Sequence, residues 1–309
     1  MAFSANEAAF EGFRIVRREP GTIVIWGLLQ LVLGVGTVFL MVPAFGPFMQ
    51  LTQGQASGAA ADPTKTLAAF TTLLPFYAIV FPVALITSAV FTCAVYRAVL
   101  RPRDKGFGRL RIGADEFRMF LLWLVLGLLF LAGSIGLIVV FVIAGVALAA
   151  LAKGAGAVAA IIAVCLAYLL MFLLMIWFGV RLSLAGPMTF TQRRLRLFDS
   201  WGLTKGRFWS LFGCYLLTFV FSMIIGLVSL TVYGAVSVVA SGSISAAAAS
   251  MFRPDFSSIQ AYFSPGRSIY LVFASFVSAV YYAVGAAPAA AAYRALASVN
   301  PENRAEVFD

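Results

Sequence analysis

Few residues in this chain have the makings of catalytic groups. It contains no histidine, which removes the commonest metal ligand and the usual general base near neutral pH. All twelve acids, from Glu7 to Asp309, lie outside the apolar runs, whereas a proton- or sodium-driven transporter usually keeps an ionisable group at mid-membrane. Ser134, Ser183 and Thr87 offer hydroxyls but have no base to activate them. Cys93, Cys165 and Cys214 fall at scattered positions inside apolar runs and read as small buried hydrophobes, not as a disulfide or metal set. No catalytic residue, cofactor or metal is expected. The chemistry that remains is cationic and aromatic. The stretch 180–213, VRLSLAGPMTFTQRRLRLFDSWGLTKGRFWSLFG, carries Arg181, Arg193, Arg194, Arg196, Lys205 and Arg207 beside Trp201, Phe208 and Trp209. With Arg14, Arg17 and Arg18 near the N-terminus, these cations and tryptophans form the candidate interface for lipid headgroups. Two readings stand: specific recognition of anionic headgroups, or anchoring through positive-inside charges and an aromatic belt.

Composition says what positions these residues. Of 309 residues, 62% are hydrophobic and 11% charged, against about 25% charged in a soluble domain. Too little polar surface exists to cover a water-soluble fold, so the chain reads as an all-α membrane protein. Its net charge of +10 is then a matter of loop topology and not of nucleic acid. Six spans are predicted, at about 21–45, 67–100, 117–151, 157–181, 208–240 and 268–297, arranged as three helical hairpins in one membrane domain. Pro43 and Pro47 are expected to mark the exit of the first span, and Pro75 and Pro82 to lie inside the second. No cleavable signal peptide is expected. The fourth span is separated from the third by a turn at 152–156, which contains Lys153.

Short amphipathic helices precede the hairpins. Ser4-Ala5-Asn6-Glu7 fits a capping box opening a helix over 1–20, with Phe10 and Phe13 on its apolar face. That helix lies either in the membrane interface or packed on the protein's own inner surface. Residues 107–112 alternate Phe107, Leu110 and Ile112 as an extended segment would, before a helix begins around Asp115-Glu116. Residues 182–207 read as a basic loop with an interfacial helix.

Orientation follows from charge. Eighteen of the 22 Lys and Arg fall in the N-terminus, 97–118, 181–207 and the C-terminus, leaving Lys65, Lys153, Arg253 and Arg267 in the other loops. With six spans all eighteen share one side, which the positive-inside rule makes cytoplasmic together with both termini. A weak internal repeat accompanies this layout. Phe10-Glu11-Gly12-Phe13 resembles Phe198-Asp199-Ser200-Trp201, Asp115-Glu116-Phe117-Arg118 is a shorter version, and Tyr96-Arg97, Val180-Arg181 and Tyr293-Arg294 close spans two, four and six. Basic caps at inner span ends would produce part of this pattern without common ancestry.

The same central stretch carries a family resemblance. VRLSLAGP followed by LFDSWGLTKGRFWSLFGCYLL is similar to bacterial membrane proteins related to the glycerophosphoryl diester phosphodiesterase membrane domain and to the YciC-like proteins. The matching positions are Arg181, Pro187, Ser200, Trp201, Leu203, Thr204, Lys205, Gly206, Phe208 and Trp209. The resemblance implies a bacterial inner-membrane location, but no activity: the phosphodiesterase of that name belongs to a separate soluble domain with histidines and metal-binding acids. Together these observations imply a non-catalytic multi-pass protein that binds anionic phospholipid, a membrane-protein partner or a second copy of itself. A small-molecule or lipid transporter, or an accessory subunit of a larger complex, is the alternative.

Overall fold

A computed structural model of the chain describes residues 4–56, 62–104, 106–151, 156–252 and 254–297. Two short helices, α1 (Ala5–Ala9) and α2 (Glu11–Arg18), lead into the long pair α3 (Pro20–Ala56) and α4 (Pro63–Leu100). A 3₁₀ turn (Phe107–Arg109) precedes the second long pair, α5 (Ala114–Leu151) and α6 (Gly156–Leu182), and short α7 (Ala185–Gln192) and α8 (Asp199–Thr204) follow it. The third pair, α9 (Phe208–Ser241) and α12 (Pro265–Ala297), is joined through α10 (Ile244–Phe252) and α11 (Ile259–Tyr262). No strand occurs among the described residues. Among the described residues six helices are long and apolar enough to cross a bilayer, with mean hydropathies between 1.8 and 2.6. The protein is an all-α, multi-pass membrane protein.

The long helices overrun the hydrocarbon. α3 has 37 residues, about 55 Å at 1.5 Å each, against a core of about 30 Å. Pro43 and Pro47 do not end it, as expected from sequence, but lie inside it. The Thr72 hydroxyl of α4 lies within hydrogen-bond distance of the Ala69 carbonyl of its own helix, at 2.7 Å, and of the Ala44 carbonyl of α3, at 3.1 Å. Asp62 caps α4, accepting from the Thr64 hydroxyl and amide. Those bonds hold its carboxyl below the usual carboxylate range. The expected turn at 152–156 falls almost wholly outside the described residues, as do Lys105, Lys153, Arg253 and the C-terminal tail.

Close packing is concentrated at the basic end. Trp26, Phe91, Met119, Phe190 and Tyr293 are the large side chains most completely enclosed there. α12 is the hub, packed against α2, α3, α4 and α9. Its buried positions Ala279, Ala283, Ala287 and Ala290 carry almost no side chain, so neighbouring backbones approach closely. The N-terminal segment packs on the protein itself: α1 and α2 dock on α9 and α12. The buried face is Ala8, Ala9, Gly12 and Ile15, while Phe10 stays 45% exposed. Small residues, not the phenylalanines, set this contact, because a Cβ on Gly12 would lie 2.4 Å from the Val284 Cα. Phe13 instead meets Phe221 edge-on at 5.3 Å. The α5–α6 pair is more peripheral, and Leu128, Ile138, Val142, Leu166 and Phe172 on it are exposed, as a lipid-facing surface requires. Cys165 is exposed too, whereas Cys93 and Cys214 are buried.

The 106–113 segment is a folded clasp and not an extended strand. Arg109, at φ 55°, is buried and donates to both Glu19 carboxylate oxygens, at 2.8 and 2.6 Å. It also donates to the Asp104 and Pro102 carbonyls at 3.1 and 3.2 Å. Gly108 turns with φ +58°, its carbonyl accepts from the Trp26 indole at 2.7 Å, and its bare Cα sits against Ile25. Helix α5 then starts at Ala114 with Asp115 and Glu116 in its first turn, as the sequence indicates.

Each long pair ends in an arginine that reaches the segment leading into the next pair. Arg97, at the end of α4, pairs with Glu116 of α5 and donates to the Arg109 carbonyl at 2.9 Å. Arg181, at the end of α6, donates to the Thr204 hydroxyl of α8 at 3.4 Å, and its carbonyl accepts from Ser200 at 2.7 Å. Arg294, near the end of α12, lies 3.6 Å from Glu11 of α2 and donates to the Val99 carbonyl at 2.9 Å. The last pair thus closes onto the first.

Candidate functional site

The basic end is built where helix termini converge, and its cations divide into two groups. Arg181 is committed to structure: its guanidinium lies 5.7 and 5.9 Å from the Trp177 and Trp201 ring centres, fastening α8 to α6. Arg14 pairs with Glu11 at 2.9 Å and Arg196 with Asp199 at 2.6 Å. Arg17, Arg18, Arg193, Arg194 and Lys205 are exposed, Arg207 and Trp201 half-buried, and Trp209 is 78% exposed beside Phe208 and Phe212. The candidates do not converge on one spot. Arg18 borders a depression of about 490 Å³ with Glu19 and Arg109. Arg193 borders another, of about 410 Å³.

That second depression is the more strongly charged. Arg97, Arg101, Arg111, Arg118 and Arg193 line it with Asp104, Asp115 and Glu116, two more cations than acids. Arg118 pairs with Asp115 at 2.7 Å, Arg101 reaches the same carboxylate at 3.9 Å, and Arg111 pairs with Asp104. The Arg101 guanidinium stacks 4.8 Å from the Phe190 ring centre. An anion placed here would meet several guanidinium donors, the geometry that suits phosphate. Of the arginines lining this depression, Arg193 is a headgroup candidate from sequence, whereas Arg101, Arg111 and Arg118 are not. The signal available was the density of cations over 97–118, taken there only as evidence of sidedness.

The segment between these sites departs from expectation. Residues 185–192, expected as loop, form α7, and Ala185–Phe190 are all buried. Its Gly186 lies against Tyr96, where a Cβ would meet the hydroxyl at 2.6 Å, and Thr191 donates to the Tyr293 hydroxyl at 3.1 Å. Pro187 stands in the first turn of this helix, where a missing N–H costs nothing. It therefore starts a helix instead of ending a span.

α7 forms the floor of an open-sided cleft of about 630 Å³ between α4, α5, α6, α9 and α12. Leu85, Leu126, Phe130 and Leu182 supply apolar wall, and Ser88, Thr92, Tyr96, Ser183, Tyr215 and Tyr282 supply hydroxyls. Among the described residues no charged side chain lines it, and the buried indole N–H of Trp123, whose residue borders it, has no hydrogen-bond partner. The Tyr215 hydroxyl lies near Ser183 without a well-formed bond. Nothing in the sequence pattern marked this cleft, because its residues come from distant helices. Among the described residues no group of acids and cysteines is arranged to hold a metal.

No family model, curated protein or solved structure matches the sequence.

Proposed function

We propose that this chain is a non-catalytic protein of the bacterial inner membrane, with both termini cytoplasmic, that binds anionic phospholipid headgroups at its basic, aromatic end. The observation that carries the proposal is the arginine-lined depression of Arg101, Arg111, Arg118 and Arg193, where cations outnumber acids. Exposed Arg194, Lys205 and Trp209 at the same end extend it into a surface suited to headgroups and the interface. The absence of histidine from the chain supports a role in binding over one in catalysis. The kinship to the glycerophosphoryl diester phosphodiesterase membrane domain and YciC-like proteins belongs to the same proposal, as does the internal repeat. The repeat is supported by the cyclic contacts of Arg97, Arg181 and Arg294.

A test follows from the charges. Each cation near an anionic surface contributes about 1 kcal/mol, so the triple variant Arg193→Gln/Arg194→Gln/Lys205→Gln is expected to bind phosphatidylglycerol roughly a hundredfold more weakly. Retention of that lipid through purification, followed by native mass spectrometry, is the measurement. Retention equal to that of the parent would defeat the proposal. A second reading, a lipid or small-molecule transporter, is favoured by one observation, the cleft between the helices. It predicts flux across reconstituted vesicles that the empty vesicles lack.

A further inference from the structure

The arginine-lined depression of about 410 Å³ at the basic end holds more than a general positive charge. Three of its five arginines are spent on its three acids. Arg97 pairs with Glu116, Arg111 with Asp104, and Arg118 with Asp115 at 2.7 Å. Arg101 and Arg193 are the surplus. Arg101 reaches only the Asp115 carboxylate already held by Arg118, at 3.9 Å. Its guanidinium lies over the Phe190 ring instead, 4.8 Å from the centre. Arg193 is exposed, and among the described residues it enters no ion pair within 4.0 Å. The two come from separate elements, Arg101 as the residue that ends α4 and Arg193 as the one that ends α7.

The first turn of α5 lines the same depression with Ala114, Asp115 and Glu116. The opening amides of a helix have no acceptor in their own helix, and Gly113 before them has no side chain to cap them. The positive end of a 38-residue helix therefore adds to the field of the arginines. What the arrangement lacks is two negative charges. A phosphodiester, as in phosphatidylglycerol, brings one. A phosphomonoester brings about 1.5 to 2 at neutral pH and offers three acceptor oxygens. Those oxygens suit several guanidinium groups at once, and the second charge balances the second surplus arginine. On the rim Ile112 is 92% exposed, which suits the acyl boundary below a headgroup.

We infer that this depression selects a phosphomonoester dianion over a phosphodiester, with Arg101 and Arg193 carrying the selection. This selectivity rests on the headgroup reading of the same site and narrows it. Two sources supply such a group, the headgroup of phosphatidate in the membrane or a soluble phosphomonoester. The test uses the intact protein in mild detergent at neutral pH, with affinity measured for three probes. They are dioleoyl phosphatidate, dioleoyl phosphatidylglycerol and glycerol phosphate. Phosphatidate is expected to bind about tenfold more tightly than phosphatidylglycerol, the worth of one more hydrogen bond to a charged group. Weak binding of glycerol phosphate identifies the membrane as the source, and binding as tight as that of phosphatidate identifies solution.

Arg101→Gln and Arg193→Asn each remove one surplus charge. Arg193 has φ 55°, a left-handed backbone that asparagine tolerates. In either variant the preference is expected to fall to about twofold or less, because the one remaining surplus charge is satisfied by either lipid. The two changes are independent, so a folding defect in one leaves the other decisive. Arg103→Gln removes a charge from the same connection, at an exposed position outside the lining, and is expected to keep the preference. That contrast separates a built site from the general pull of a basic surface on a more highly charged lipid. Equal binding of the two lipids by the parent would overturn the selection and leave headgroup binding standing. Binding of none of the three probes would overturn both. A preference undiminished in folded Arg101→Gln and Arg193→Asn, or lost as fully in Arg103→Gln, would also overturn the selection.

Discussion

Replacing Glu116 by alanine is expected to destabilise the protein by about 3–5 kcal/mol, a fall in thermal midpoint of roughly 10 °C for a chain of this size. Arg97 and Glu116 are both nearly inaccessible, with side chains 3% and 6% exposed. The cost of removing the carboxylate is mainly the cost of leaving the guanidinium buried beside Phe190 with only the Arg109 carbonyl as partner. The double variant Arg97→Met/Glu116→Leu removes both charges and fills similar volume. It is expected to recover most of the loss, since apolar replacements of buried pairs are often neutral or better. Melting followed by size-exclusion in detergent measures both. A Glu116→Ala protein melting within about 2 °C of the parent would show that water reaches the pair.

The second large effect is expected at Gly12. A leucine there must find room where the Cβ alone would stand 2.4 Å from the Val284 Cα and 2.7 Å from the Ala283 carbonyl oxygen. Both are backbone atoms of the hub helix and cannot rotate aside. Overpacking of this kind costs about 1–3 kcal/mol when the surroundings yield. Here the cheaper response is for α2 to lift off α12, taking Glu11 out of reach of Arg294 and Phe13 off Phe221. Gly12→Leu is therefore expected to lower the melting point and to make the bonds after Arg14, Arg17 and Arg18 rapidly cleavable by trypsin. Gly21→Leu, where an added Cβ meets nothing, is expected to change stability by less than about 0.5 kcal/mol. Equal protection of the two variants would show that the N-terminal helix is not held by this contact.

These two sites also show what a linear sequence discloses. The termini of α5, α6 and α9 match expectation within about three residues, since charges or glycines abut their apolar runs. The overrun of α3 to Ala56 was hidden because its polar last turns read as loop and its prolines read as stops. α7 was hidden because an eight-residue helix buried on all sides, AGPMTFTQ, shows neither a long apolar run nor a one-sided stripe. At the basic end, the exposed cations were legible as types and positions. Which of them are spent on structure was not, because Arg181 between two tryptophans and Arg193 in the open have the same letter. The Gly12 contact and the cleft depend on which helices become neighbours, and hydropathy does not encode that order.

The closure of the last hairpin onto the first has a consequence for biosynthesis. α1 and α2 leave the ribosome well before the surfaces that bury them, on α9 and α12. At about 5–20 residues per second, Glu11 waits on the order of tens of seconds for Arg294 to be translated. During that interval the nascent chain carries an undocked amphipathic segment, and final assembly resembles the fastening of a belt whose buckle is synthesised at the opposite end.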